Sequence, residues 1–183
     1  MMKKRKIWIF LRVVAIAFLI AFFFRFYLFA SYIVDGKSME PTLYDGNLLM
    51  VNKMIYDFQD VDRFDVIVFH ANSKEDYVKR VIGKAGDEIE YKDDRLYIND
   101  KAVEEKYLEA FRDSARLPLT KDFTLEELTG ESSVPKGKLF VLGDNRHKSM
   151  DSRSFGFIDA NEIVGKVDIR YWPMSELNFQ FAN

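Results

Sequence analysis

At 183 residues the chain accommodates one ordinary domain with an appendage and is too short for two full enzymes. Hydrophobic residues at 48% and charged residues at 31% exclude a disordered or collagen-like chain, and the absence of cysteine excludes a disulfide scaffold, a zinc ribbon and a cysteine nucleophile. Two histidines leave no basis for a histidine-rich metal site, no cofactor is expected, and a net charge of −2 argues against a nucleic-acid partner.

That charge is unevenly spread. Residues 1–30 hold six of the 27 basic side chains (Lys3, Lys4, Arg5, Lys6, Arg12, Arg25) and none of the 29 acidic ones, so they carry +6, and the remaining 21 basic groups against 29 acidic ones leave −8. Residues 7–24 are apolar except for Arg12, and apolar character resumes over 26–30. A hydrocarbon core of about 30 Å needs roughly 20 helical residues, so residues 7–30 are expected to form a transmembrane anchor. Arg12 and Arg25 can extend their guanidinium groups to the two headgroup layers. The basic cluster over residues 3–6 predicts that residues 1–6 stay cytoplasmic and that residues 31–183 face the outside of the cell membrane. A cleavable secretory signal would have an apolar region of about 7–15 residues followed by a small-x-small site. Ala15-Ile16-Ala17 has that pattern in mid-span, and Leu28 spoils it before Ala30. An uncleaved anchor is therefore preferred to a removed signal or to the core helix of a soluble protein.

Beyond residue 31 the pattern changes to short runs of period two. Residues 47–51, 64–69, 77–82, 88–91, 95–98, 138–142 and 163–171 read as strands. In the last, Val167, Ile169 and Tyr171 alternate with Lys166, Asp168 and Arg170. Lys92-Asp93-Asp94 and Asn99-Asp100-Lys101 predict tight hairpins, and Pro135-Lys136-Gly137 leads into a strand. The expected architecture is an all-β catalytic domain of antiparallel sheets with one N-terminal transmembrane α-helix. Residues 104–134 are more polar and read as a surface excursion, with one helical turn at 124–128 started by a Thr124/Glu127 capping box.

With cysteine absent, serine, lysine, aspartate and arginine remain as candidate actors. Ser133-Val134-Pro135-Lys136 matches a Ser-x-x-Lys motif, but that motif needs a helical turn, which Pro135 disfavours. Gly36-Lys37-Ser38-Met39-Glu40 begins like a nucleophile elbow and lacks the closing glycine. A triad of Ser38 with His70 or His147 and Asp144 or Asp151 stays open on spacing alone.

Three segments crowd polar residues onto otherwise structural sequence. Asp35-Gly36-Lys37-Ser38-Met39-Glu40-Pro41-Thr42-Leu43 follows the anchor; in Tyr77-Val78-Lys79-Arg80-Val81-Ile82-Gly83 alternation puts Lys79 on the face of Tyr77 and Val81. Gly143-Asp144-Asn145-Arg146-His147-Lys148-Ser149-Met150-Asp151-Ser152-Arg153 follows a strand and holds two Asp/Arg pairs. In this order and spacing they resemble the boxes of the type I signal peptidases, membrane-bound serine proteases that remove signal peptides from secreted preproteins. The likeness extends through Arg63-Phe64-Asp65-Val66-Ile67-Val68-Phe69, with phenylalanine in place of the family's usual glycine. It continues through Gly83-Lys84-Ala85-Gly86-Asp87 and Ser154-Phe155-Gly156-Phe157-Ile158, covering the chain from the anchor to about residue 173. One span and a compact body are similar to the short Gram-positive form.

The resemblance implies Ser38 as nucleophile and Lys79 as general base, with Ser149 orienting the Lys79 amine. It further implies Asp144, Arg146, Asp151 and Arg153 as salt-bridged loop supports, and Gly143 close to the site. Tyr32, Val34, Met39, Leu43 and Val78 would line shallow apolar pockets for alanine at an Ala-x-Ala cleavage site. The backbone N–H of Ser38 would donate to the oxyanion; the serine that adds a second donor in some relatives is Gly36 here. Such a dyad needs a neutral amine, and at a lysine pKa of about 10.4 only on the order of one in 2,500 is neutral at pH 7. Lowering the pKa to ~8 requires roughly 3 kcal/mol, which burial can supply. Ser38 lies eight residues past Ala30, so at ~3.3 Å per residue it stays within about 26 Å of the anchor. Two non-enzymatic readings compete: a silent relative that assists assembly of surface proteins, and an anchored β-domain that binds a partner. Self-cleaving repressors share serine–lysine chemistry but carry a DNA-binding domain and no anchor.

Overall fold

The computed structural model describes residues 2–114, 118–179 and 181. The side chains of Lys3 and Lys4, part of the orienting basic cluster, and of Arg25, expected at the headgroups, lie outside the described residues, as does the 115–117 part of the 104–134 segment.

Helix α1 spans Met2–Leu28, 27 residues and therefore about 40 Å at ~1.5 Å per residue. Its Arg5–Phe23 stretch has a mean hydropathy of 2.3, and none of it is buried against the body. Apolar side chains stand exposed all round the helix, among them Trp8, Phe10, Phe18 and Leu19. Such a helix has no face to hide in water, and its length and composition fit a membrane span. The helix ends two residues before the apolar run does. Phe29 and Ala30 open β1 (Phe29–Ile33) and pair with Asn52 and Val51 of β2 (Leu48–Asn52). Hydropathy cannot mark this boundary, because the signal that stops the helix is an unpaired strand edge; Lys53 N–H donating to Leu28 O at 2.9 Å seals the junction.

The remaining elements follow as β3 (Val66–His70), β4 (Asp76–Gly83), β5 (Ile89–Lys92), β6 (Arg95–Ile98) and β7 (Lys101–Val103). Then come α2 (Glu109–Ser114), β8 (Phe123–Thr124), α3 (Leu125–Thr129), β9 (Lys138–Leu142), α4 (Ser152–Phe155), β10 (Ile158–Asp159) and β11 (Ile163–Trp172). The strands form a seven-stranded sheet in the order β1-β2-β11-β3-β4-β9-β10 and a four-stranded sheet in the order β7-β6-β5-β8. Every strand pairing is antiparallel, as the alternating patterns predict. β1, β7, β8 and β10 were not legible in the sequence: three are only two or three residues long, and β1 is hidden in the apolar run.

Strands β3 and β9 are buried on both faces, which explains their unbroken apolar runs. Val66 and Val68 join Leu49, Val51 and Val167 in one core, while Ile67 and Phe69 join Val81, Leu139 and Val141 in another. The opposite face of β9, Phe140 and Leu142, packs with Ile82 against Ile89, Tyr91, Leu96, Phe123 and Leu125 of the second sheet and its flank. Both expected hairpins form, with Asp93-Asp94 and Asn99-Asp100 in left-handed conformations (φ +51 to +62°) that short Asp and Asn side chains tolerate.

The 104–134 segment is corrected by the structure. Glu105, Leu108, Leu119, Thr120, Phe123, Leu125 and Val134 are buried, so the segment closes the second core rather than lying outside it. Its few apolar residues are spaced irregularly because short turns and helices, not one long element, carry them inward. The capping box forms as expected, with Thr124 accepting from Glu127 N–H and Glu127 accepting from Thr124 N–H.

Candidate active site

Ser38 sits in the loop between β1 and β2. Val34 N–H donates to Asn47 O and Gly46 N–H to Val34 O, both at 2.9 Å, which ties the loop's two ends together. Gly36 takes φ +91°, a conformation open to glycine, and its N–H donates to Asp45 Oδ1 at 2.8 Å. Met39 and Leu43 plunge into the core beneath, and Leu43 N–H donates to Met39 O at 2.9 Å. From above, Asn145 N–H donates to Ser38 O and Asn145 Nδ2 to Lys37 O, both at 3.0 Å. The peptide carrying Ser38 is thus clamped between an apolar floor and a polar lid.

Lys79 lies on β4 opposite Ile67 of β3. Its Nζ is 2.9 Å from Ser38 Oγ and 3.0 Å from Val78 O, and the residue is only 4% exposed. Burial pushes the amine down from 10.5 to about 8, partly offset by the Asp151 and Asp144 carboxylates. The Tyr77 ring stands 5.1 Å from Nζ and keeps that side apolar. Chemically the pair is a hydroxyl at hydrogen-bond distance from an amine with a usable neutral fraction near pH 7, the minimum for nucleophile activation without histidine. It opens on a cleft of about 310 Å³ whose walls include Tyr32, Val34, Met39 and Val78.

Residues 7–172 match the family model described as signal peptidase, peptidase S26. The chain is 60% identical to signal peptidase I of Bacillus caldolyticus over 158 residues, which is 86% of this chain and 87% of that one. The chain belongs to the signal peptidase family. It is also 44% identical to signal peptidase IB of Staphylococcus aureus over 173 residues, covering 92% of this chain and 91% of the relative. The crystal structure of a signal peptidase I from Enterococcus faecalis matches with a TM-score of 0.57 and 41% identity, over 60% of this chain and 97% of that one.

Around the Ser38–Lys79 pair stands a set of buried ion pairs. Asp151 does pair with Arg153, Oδ1 accepting from Nε at 2.8 Å, and its Oδ2 accepts from Gly143 N–H at 3.0 Å. Burial would raise the Asp151 carboxyl, but the Arg153 hydrogen bond and charge together with the Gly143 N–H hold it below the ordinary carboxylate value. Asp144 and Arg146, however, each find a partner far away in sequence. Asp144 takes a bidentate pair from Arg80 of β4 (2.9 and 2.7 Å) and accepts from Thr42 Oγ1. Arg146 reaches into the second core, donating to Glu105 Oε1 at 2.6 Å, Tyr91 OH at 2.7 Å and Thr120 Oγ1 at 3.0 Å, while its Nε holds Gly143 O at 3.0 Å. Arg80, Thr42, Glu105 and Asn145 were therefore missed as site supports. Arg80 adjoins Lys79 and could have been suspected, whereas nothing local distinguishes Glu105 from its exposed neighbour Glu104.

Two sequence assignments need restating. Leu43 is fully buried under Met39 and Val34, so it supports the cleft floor and offers no surface to a ligand. Ser149 Oγ makes no hydrogen bond to Lys79; it is buried against Gly143, near enough to Asp151 to help keep that carboxyl ionised. The triad does not assemble. His70 is turned to Asp76 at 2.6 Å, His147 is exposed, and Asp144 and Asp151 are engaged by arginines. Ser133 and Lys136 lie in a loop with Lys136 exposed.

The Arg146–Glu105 pair is wholly buried. Glu105→Ala strands an unpaired guanidinium in the core, and urea denaturation of the full chain is expected to show a loss of about 3–5 kcal/mol. A loss below about 1 kcal/mol would mean that the hydroxyls of Tyr91, Tyr107 and Thr120 satisfy Arg146 alone.

Proposed function

We propose that this member of the signal peptidase family is a membrane-anchored serine endopeptidase that removes signal peptides from secreted preproteins after small residues of the Ala-x-Ala type. The observation that carries the reading is the 2.9 Å approach of a buried Lys79 amine to Ser38 Oγ at the floor of an apolar cleft. Neutral Lys79 takes the Ser38 proton as Oγ attacks the scissile carbonyl, and the lysine then gives that proton to the departing amine. An ester remains between Ser38 and the cleaved residue. Lys79 next removes a proton from water as it attacks the ester, which frees the signal peptide and regenerates Ser38. The Ser38 N–H, without an acceptor among the described residues, is available to the oxyanion; the two Asn145 bonds to the neighbouring carbonyls fix its direction.

Tyr32, Val34, Met39 and Val78 form the walls for small side chains of the precursor, and Ser149 acts through Gly143 and Asp151 on the lid rather than on the amine itself. Helix α1 is the anchor in the cell membrane. The basic residues before it favour a cytoplasmic N-terminus and a catalytic body outside, where translocated preproteins emerge. The partners are then preproteins and the lipid bilayer, with no role for nucleic acid. An intact serine–lysine pair favours this reading over a silent relative that aids assembly, and over an anchored β-domain that only binds.

Full-length protein in detergent with a preprotein tests it. Ser38→Ala is expected to leave the preprotein uncut while His147→Ala cuts at the wild-type rate. Cutting by Ser38→Ala would overturn the nucleophile assignment.

A further inference from the structure

A second groove, of about 330 Å³, adjoins the cleft. The two share Tyr77 and Met150 as common walls. Beyond them the groove is bordered by Phe155 and Phe157 and by the polar residues His70, Asn72, Asp159 and Glu162. Met150 is 64% exposed and Phe155 39% exposed, so both offer side-chain surface to a chain lying in the groove.

We propose that this groove binds the first residues of the mature chain, those immediately following the scissile bond. The proposal rests on the Ser38–Lys79 assignment above. The direction follows from proton bookkeeping. The ammonium formed on Lys79 when Ser38 attacks is the proton source for the departing amine, so that nitrogen must lie within hydrogen-bond reach of Nζ. The signal-peptide side is already accommodated by Tyr32, Val34, Met39 and Val78. On β4, alternation sends Val78 to the core under the cleft, whereas Tyr77 joins Val81 on the opposite face. A chain leaving past Lys79 therefore meets the Tyr77 ring, 5.1 Å from Nζ, and passes over Met150 into the groove. Tyr77 is the turning point where the two halves of a substrate part company. Asp76 braces both sides, accepting from Tyr32 OH at 2.9 Å toward the cleft and meeting His70 Nδ1 at 2.6 Å toward the groove.

The test compares two substrates of the full-length enzyme in detergent. They share one signal sequence up to the cleaved alanine; one continues into a mature segment and the other ends there as a methyl ester. Phe155→Ser is expected to raise KM for the continued substrate roughly tenfold, as fits loss of a half-buried ring from an interface, with kcat and ester hydrolysis unchanged. With wild-type enzyme, replacing the first mature-side residues of the substrate by glycine should raise KM alike. Equal weakening on both substrates would make Phe155 a support of the cleft and overturn the proposal, as would no dependence of KM on the mature side. Ester hydrolysis that persists in Ser38→Ala would instead defeat the underlying serine–lysine reading.

Discussion

Lys79→Met is expected to give a protein that processes no preprotein and yet unfolds at a higher temperature than the wild type at pH 7. Loss of a general base costs about 10²–10⁴-fold in rate, and without it Ser38 is an ordinary alcohol. The stability gain comes from the same burial that tunes the amine. Holding the Lys79 pKa at about 8 instead of 10.5 destabilises the folded protein by about 3 kcal/mol wherever the amine is charged in both states. Methionine fills similar volume without that cost. The sign can be checked by titration. Between about pH 8 and 10.5 the unfolded lysine still binds its proton and the folded one does not, so wild-type stability contributed by this group rises with pH across that window. The advantage of Lys79→Met should therefore shrink there and be largest below pH 8. The wild-type pH–rate profile should climb with the neutral fraction and level off above about 8. A substituted enzyme that retains processing, or a stability difference that stays flat across the window, would remove Lys79 from its assigned role.

Gly143→Ala is the second large effect. A Cβ at this position would collide with Ser149 Oγ and with the Ser38 backbone carbonyl, and would lie 2.6 Å from Ser149 Cβ. The serine side chain could turn aside, but the carbonyl belongs to the nucleophile's own peptide and cannot move without taking Oγ with it. A displacement of about 1 Å is worth on the order of 10²-fold in rate. Steady-state kinetics should therefore show kcat reduced by about that factor, with KM much less affected because the cleft walls stand elsewhere. Overpacking should also cost roughly 1–3 kcal/mol of stability. Near-normal kcat in Gly143→Ala would mean that the lid has more freedom than its hydrogen bonds to Asp151 and Arg146 allow.

How far this could be read from residues alone depends on the range over which each choice is made. The strands over 95–98 and 138–142 were legible to the residue, because Arg95-Leu96-Tyr97-Ile98 alternates and Leu139–Leu142 is apolar on both sides of the strand. Ser38 and Lys79 stood out through their neighbours, the loop signals around Gly36 and Pro41 and the odd lysine among apolar residues of β4, and the structure brings the two within 2.9 Å. Asp144 and Arg146 were expected as salt-bridged loop supports, but the sequence named no partner for either. An aspartate and an arginine two residues apart invite pairing on paper, whereas here Arg80 and Glu105, 64 and 41 positions away, claim them. Long-range electrostatic choice of this kind leaves no local trace. The same holds for the 104–134 segment, whose polar composition concealed that Glu105 and Thr120 are polar because they meet Arg146 inside.

The junction at Leu28 and Phe29 bears on where cutting can happen. Helix and β1 follow one another without a spacer, and β1 itself is latched to β2 over all five residues. At ~3.3 Å per residue β1 adds about 16 Å before the loop that bears the nucleophile. The body therefore joins the helix with no linker between them. With α1 in the bilayer and Ser38 as the proposed nucleophile, cutting is expected to depend on how far a precursor's cleavage site protrudes from the membrane as well as on which residues flank it.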